Sequence, residues 1–176
     1  MQDKKLIFDS TVLSNFLIAN AAPLLCTRYP RRGVISWEVY DELSAGFRKE
    51  PALRGIDQLF SEKSFGLVTL SKKEHTFYIT LLDSLGKGEA SCIALARFSG
   101  NIVATDDKAA RRICESHSIP CTGTIGILLA ACREKHCDID KADQLLSIMI
   151  KAGFYSPVRK ISDIWQMPIK PIIFGL

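Results

Sequence analysis

The chain has no CxxC pair, no internal repeat, no low-complexity stretch and no clear linker. None of its apolar runs reaches the roughly 18 residues that a membrane span needs. Its six cysteines (26, 92, 114, 121, 132, 137) are too sparse for a secreted disulfide scaffold and lack paired zinc-ligand spacing, so they read as reduced thiols. The opening Met1-Gln2-Asp3-Lys4-Lys5 leads into a short apolar run that meets Asp9, which is not the pattern of a signal peptide. The expectation is a cytoplasmic protein without a membrane segment. No GxSxG nucleophile elbow occurs. Gly86-Lys87-Gly88 lacks the third glycine of a dinucleotide fingerprint, and no Walker lysine follows it.

What is present is ordinary in bulk. Hydrophobic residues are 47% and charged residues 24% of 176, which excludes disorder, collagen-like repeats and coiled coil and suits one domain with a real core. Lysine and arginine number 23 against 19 acids, a net +4. That surplus permits nucleic-acid binding without establishing it.

Short apolar runs alternate with helical periodicity. Strands are expected at 4–9, 33–36, 67–70 and 101–105. Ser10 is expected to cap a helix bearing Val12, Leu13, Phe16 and Leu17, and Ser36 one bearing Val39, Leu43 and Phe47. Ser71 to Glu74 forms a capping-box pattern, Gly88 opens a small-residue helix, and another helix follows residue 105. This alternation implies βαβ crossovers and a mainly parallel sheet between helical layers, a three-layer α/β/α fold. The last third changes to helices at 124–136, 140–152 with Asp140 as cap, and 157–166 with Ser156 as cap and Pro157 at its first position. The apolar tail from Met167 must pack on the body or on another subunit, which argues for a homodimer.

The informative feature is where the acids fall. Asp9 ends the first strand, and Asp106 and Asp107 end the strand at 101–105. In an open parallel sheet the carboxyl ends of the strands face the ligand crevice. Clustered carboxylates repel one another unless a cation neutralises them, and Mg²⁺ is a usual partner for a few carboxylates. Glu42 and Glu89 stand on helices that can complete the set. Each acid also has an ordinary structural reading: Asp106 as a helix cap, Glu89 as a complement to a helix dipole, Glu42 as a solvated acid.

Four segments together resemble the PIN-domain ribonucleases, including the VapC-type toxins of prokaryotes. They are Leu6-Ile-Phe-Asp9-Ser-Thr-Val-Leu13, Val39-Tyr-Asp-Glu42-Leu43, Gly88-Glu89 through Ala96, and Val103-Ala-Thr105-Asp106-Asp107. The order covers residues 4–123, and Thr122-Gly-Thr-Ile-Gly126 is similar to a prokaryotic subgroup with extra C-terminal helices. The family often has aspartate where this chain has Glu89, which keeps the ligand type. The doublet leaves Asp106 and Asp107 as alternatives for the last acid.

The resemblance implies a PIN-like core at 1–123, a helical extension at 124–176 packed on it, and hydrolysis of RNA phosphodiester bonds with Mg²⁺ or Mn²⁺. Asp9, Glu89, Asp106 and Asp107 would hold metal, Glu42 would join them in catalysis, and Ser10 and Thr105 would support them through their hydroxyls. RNA contacts are expected from Arg28, Tyr29, Arg31, Arg32 and Lys108, with Lys72, Lys73, Lys87, Arg111 and Arg112 as further cations and Tyr29 stacking on a base. A protein antitoxin is the expected partner of a toxin of this type.

Two other chemistries fit the residue types less well. Cys114, His117 and Cys121, or Cys132, His136 and Cys137, are zinc-ligand types, but they sit on apolar helical stripes where cysteine behaves as a small hydrophobe. A haloacid-dehalogenase-type phosphatase would need an aspartate where Thr11 stands. A PIN-like domain kept only for binding RNA or protein predicts damaged acids, whereas all five positions here are acidic.

Overall fold

The structure, a computed structural model, describes residues 4–166. Five strands form one sheet: β1 (Leu6–Phe8), β2 (Gly33–Ser36), β3 (Phe65–Val68), β4 (Ile102–Ala104) and β5 (Cys121–Thr122). Their order is β3-β2-β1-β4-β5 and every pairing is parallel. β1 and β4 are buried on both faces and carry unbroken apolar runs, as central parallel strands must. The two-residue β5 had no pattern long enough to read in the sequence. β3 begins two residues before the expected strand.

Among the described residues the helices are α1 (Ser10–Ile18), α2 (Ala22–Arg28), α3 (Trp37–Gly46), α4 (Ile56–Ser61), α5 (Lys72–Leu81), α6 (Lys87–Ser99), α7 (Lys108–Ser116), α8 (Thr124–Arg133) and α9 (Ile139–Lys151). They make the arrangement three-layered, α/β/α. α6 packs on β1, β2 and β4, while α1 packs with α2, α8 and α9. Alanines at 90, 94 and 96 keep α6 close to the sheet, and Ile93 fills the interior beside them. The Ser71–Glu74 capping box forms in full at α5, and Gly100 in the left-handed region ends α6.

Chain order decides where a crevice opens. From β1 the chain builds outward through β2 and β3, then crosses back to place β4 on the other side of β1. The switch point therefore lies between the carboxyl ends of β1 and β4, where the flanking connections part in opposite directions.

Three helix starts differ from expectation. α1 begins at Ser10 itself, with Asp9 at the cap position and no side-chain cap bond. α9 is capped by Asp138, which accepts from Lys141 N at 2.7 Å, so Asp140 lies in the first turn. No helix spans 157–166. The Ser156 hydroxyl accepts from Val158 N and donates to Val158 O, and Asp143 accepts the N–H groups of Ile161 and Ser162, so those backbone groups are satisfied without a helical ladder. A single 3₁₀ turn, Ser162–Ile164, remains.

Leu128 of α8 and Leu146 and Met149 of α9 belong to the same buried cluster as Phe8, Leu13 and Phe16. No single helix among the described residues is long and apolar enough to cross a membrane. The α1–α2 pair passes by length and composition but is bent by 117°, and Val12, Leu13, Phe16 and Leu25 are buried in the core. The tail and its argument for a dimer lie outside the described residues.

Candidate active site

A cleft of about 1150 Å³ opens at the switch point. Glu42, Glu89, Asp106, Asp107, Lys108 and Arg111 line it, and Asp9 lies fully buried beneath.

Asp9 is the residue at which β1 becomes α1. Its backbone N–H donates to Ala104 O at 2.9 Å, which locks it to the end of β4. Its Oδ2 accepts from the Thr105 hydroxyl at 3.2 Å. Burial, then the nearby Glu89 carboxylate, push the Asp9 carboxyl up to about 7 against hydrogen bonds that lower it; Glu42 adds to the rise. Thr105 also accepts from Asp107 N at 3.2 Å, so one hydroxyl joins the two acidic segments.

Glu42 reaches across from α3. Its Oε1 accepts from Gly88 N at 2.8 Å, an otherwise unpaired donor in the first turn of α6, and its Oε2 accepts from the Ser10 hydroxyl at 2.8 Å. Ser10 stands between Glu42 and Asp9 Oδ1 at 3.3 Å, but its single proton favours the shorter contact. A methyl group at Gly88 would meet Glu42 Oε2 at 2.5 Å, so any larger residue there would displace the carboxylate from its bonds to Gly88 N and Ser10. Glu89, half-buried one residue on, is pushed up by burial and by the Glu42 and Asp107 carboxylates.

The doublet at the end of β4 divides its duties. Asp107 caps α7, accepting from Ala110 N at 2.7 Å. Asp106 accepts from Thr124 N at 2.9 Å, from the Thr124 hydroxyl at 2.6 Å and from Asn15 Nδ2 at 3.3 Å. The helix-capping role expected of Asp106 therefore falls to Asp107 at α7, while Asp106 ties α8 to α1. A side chain at Gly123 would collide with Asp106 Oδ1. Thr124 is thus part of the site, so a division of the chain after residue 123 cuts through it.

Asp9, Glu42, Glu89 and Asp107 form the mutually repelling set, with Asp106 held beside them. The salt bridges of the described residues, Arg28–Glu134 and His136–Glu134, involve none of these acids. Among the described residues no three Asp, Glu, His or Cys side chains stand as a ready metal-ligand group. The physical reason is visible in the bonds: Glu42, Asp106 and Asp107 are each turned toward backbone donors at the N-termini of α6, α8 and α7. As a donor set the five acids fit a hard divalent ion, since they offer only oxygen and leave a buried carboxyl without a salt bridge among the described residues.

The basic segment expected to bind RNA is elsewhere. Residues 28–32 precede β2 and so lie at the opposite, amino end of the strands, where Arg32 donates to Lys4 O at 2.9 and 3.2 Å. Arg28 pairs with Glu134 at 2.6 Å and lies over the Tyr29 ring. Tyr29 is buried edge-on against Phe8, so it has no face for a base. Arg31 is exposed on that same side. Of the expected cations, Lys108 and Arg111 line the cleft. Arg111 donates to Thr105 O at 3.0 Å. The cysteines are free thiols; Cys132 and Cys137 approach to 3.6 Å without histidine completing a metal group among the described residues.

Sequence reasoning missed Asn15 and Thr124. Asn15 stands on the buried stripe of α1 between leucine and phenylalanine, and a buried amide in such a stripe must find partners, here Asp106 and Thr124 Oγ1 at 3.0 Å.

No curated protein and no solved structure matches this chain. A family model described as a PIN domain does, over residues 5–167. That match runs through β1, all four acidic segments and both C-terminal helices without a break, and it agrees with an all-parallel sheet whose acids gather at the switch point; the chain belongs to the PIN-domain family, a family of nucleases.

Proposed function

We propose that the protein is a metal-dependent endoribonuclease, hydrolysing RNA phosphodiester bonds with Mg²⁺ or Mn²⁺. The observation that carries this reading is Asp9, a fully buried carboxyl beside Glu89 and Glu42 that makes no salt bridge among the described residues. Such an arrangement costs stability, and a catalytic cation is the simplest compensation. Asp9, Glu89, Asp106 and Asp107 would hold the ion. Asp107 has one oxygen free of its capping bond, whereas Asp106 has both oxygens engaged, Oδ1 with a single bond from Thr124 N and Oδ2 with two. With the ion in place, the chemistry supplied is Lewis-acid activation of water and neutralisation of phosphodiester charge. Thr105 and Ser10 orient Asp9 and Glu42 through their hydroxyls, and the Gly88 N–H fixes Glu42. Lys108 and Arg111 counter the repulsion between the acids and a polyanion.

The full chain should cleave single-stranded RNA with Mn²⁺ or Mg²⁺, and Asp9→Asn should abolish cleavage with the circular-dichroism spectrum preserved. Absence of cleavage with every divalent ion, together with no calorimetric Mn²⁺ binding, would sink the proposal. It would favour a PIN-like module that only binds, a reading supported by the acids that face helix N-termini instead of one another. Toxin activity, inhibition by a small antitoxin, a homodimer and a cytoplasmic site of action belong to the same proposal. Growth arrest on expression that depends on Asp9 is the direct test of the first.

A further inference from the structure

Beyond the carboxylates the same cleft is lined by Ile18, Leu43, Leu53, Ile125, Phe154 and Tyr155. Tyr155 is 89% exposed, more than any other exposed large hydrophobic side chain among the described residues. The backbone that carries it is fixed on both sides. Gly153, with φ of +108°, ends α9: its N–H donates to Ile150 O and that of Phe154 to Met149 O, both at 3.0 Å, the bond pair of a Schellman turn. Phe154 then packs on the core. After Tyr155, the Ser156 hydroxyl closes a turn on Val158, and Asp143 holds Ile161 and Ser162. One ring is therefore anchored and the next left in solvent at the rim of a cleft.

We infer that Tyr155 is a stacking platform for an unpaired base of the RNA strand whose phosphodiester lies at the acids. The inference rests on the nuclease reading for its substrate. A base has two apolar faces and no charge, which suits an aromatic beside aliphatic walls. The phosphates on either side of it meet Lys108 and Arg111, on the lining of the same cleft. A ring carried on a backbone fixed before binding, with only two side-chain torsions of its own, loses little freedom when the base arrives. Paired bases in a duplex present no free face, so the platform selects single strands.

The test uses the full chain carrying Asp9→Asn, so that binding is read without cleavage, and a fluorescein-labelled single-stranded RNA dodecamer followed by anisotropy. Adding Tyr155→Ala should weaken binding by a factor of about 5 to 150, the measured worth of stacking one base. Tyr155→Phe and Tyr155→Trp should stay within about twofold, and the corresponding blunt duplex should show no dependence on residue 155. Unchanged affinity for Tyr155→Ala overturns the inference and leaves the ring to a protein partner. So does equal loss in the Phe and Ala variants, or equal loss on duplex RNA. In the cleavage-competent chain, Tyr155→Ala should raise KM more than it lowers kcat. If no ion supports cleavage yet single-strand binding depends on the ring, the nuclease reading falls while the platform stands.

Discussion

Replacing Asp9 by asparagine should make the metal-free protein more stable at neutral and alkaline pH, although it removes the residue on which cleavage is proposed to depend. Asp9 has an ordinary carboxyl value of 3.8 in the unfolded chain and about 7 in the folded one. A carboxyl raised on folding keeps its proton longer in the native state. The native state is thus most favoured below the unfolded value, and stability is lost as pH rises from about 4 through 7. Integrated over that interval, one such group costs about 4 kcal/mol at pH 8, a large part of the 5–15 kcal/mol typical of a domain. Asparagine keeps the shape and avoids the charge. Urea unfolding in EDTA, run from pH 4.5 to 8.5, should therefore give a wild-type stability that falls with pH and a variant curve that is flatter. The gap should approach about 4 kcal/mol at pH 8 and narrow to about 1 kcal/mol at pH 4.5. Saturating Mn²⁺ should restore the wild type by about 2.7 kcal/mol at one hundred times Kd and do less for the variant. Parallel curves for the two proteins would refute the reasoning, because they would place Asp9 at its ordinary value in an environment without strain.

Two further outcomes follow from the bonds at the site and from the basic segment away from it. Thr124→Val removes the hydroxyl that donates to Asp106 and accepts from Asn15; with two polar groups left short of a partner, it should cost about 1–3 kcal/mol by urea unfolding and reduce cleavage, and a variant as stable and active as wild type would contradict the assignment. Arg28→Ala deprives Glu134 of its arginine partner at the amino end of the strands and should lower stability by about 1 kcal/mol, with single-stranded RNA affinity within about twofold of wild type; a tenfold loss of affinity would return that segment to the RNA surface.

The fold class was legible in the sequence, and the acids could be named from it as candidates. The apolar runs at Leu6–Phe8 and Ile102–Ala104 suggested buried strands, and Asp9 after the first and Asp106 beyond Thr105 after the second suggested a shared carboxyl edge. Capping at Ser36 and Ser71 is equally local, since it joins groups three residues apart, and it was legible for that reason. Tertiary structure decided everything that depends on which elements meet. It alone made Glu42 the cap of a helix 46 positions away, set Asp107 apart from Asp106, and turned Asn15 toward an acid 91 positions on. It also set the basic segment apart from the acids: Arg28 to Arg32 were expected to contact RNA, and the structure places them at the opposite edge of the sheet with Tyr29 covered and Arg28 paired. Conversely, nothing local marked Tyr155, because exposure at a cleft is a property of the walls around it. Periodicity records what a segment buries; which acids share one cleft, and which ring stands exposed at its rim, is fixed only when the segments are brought together.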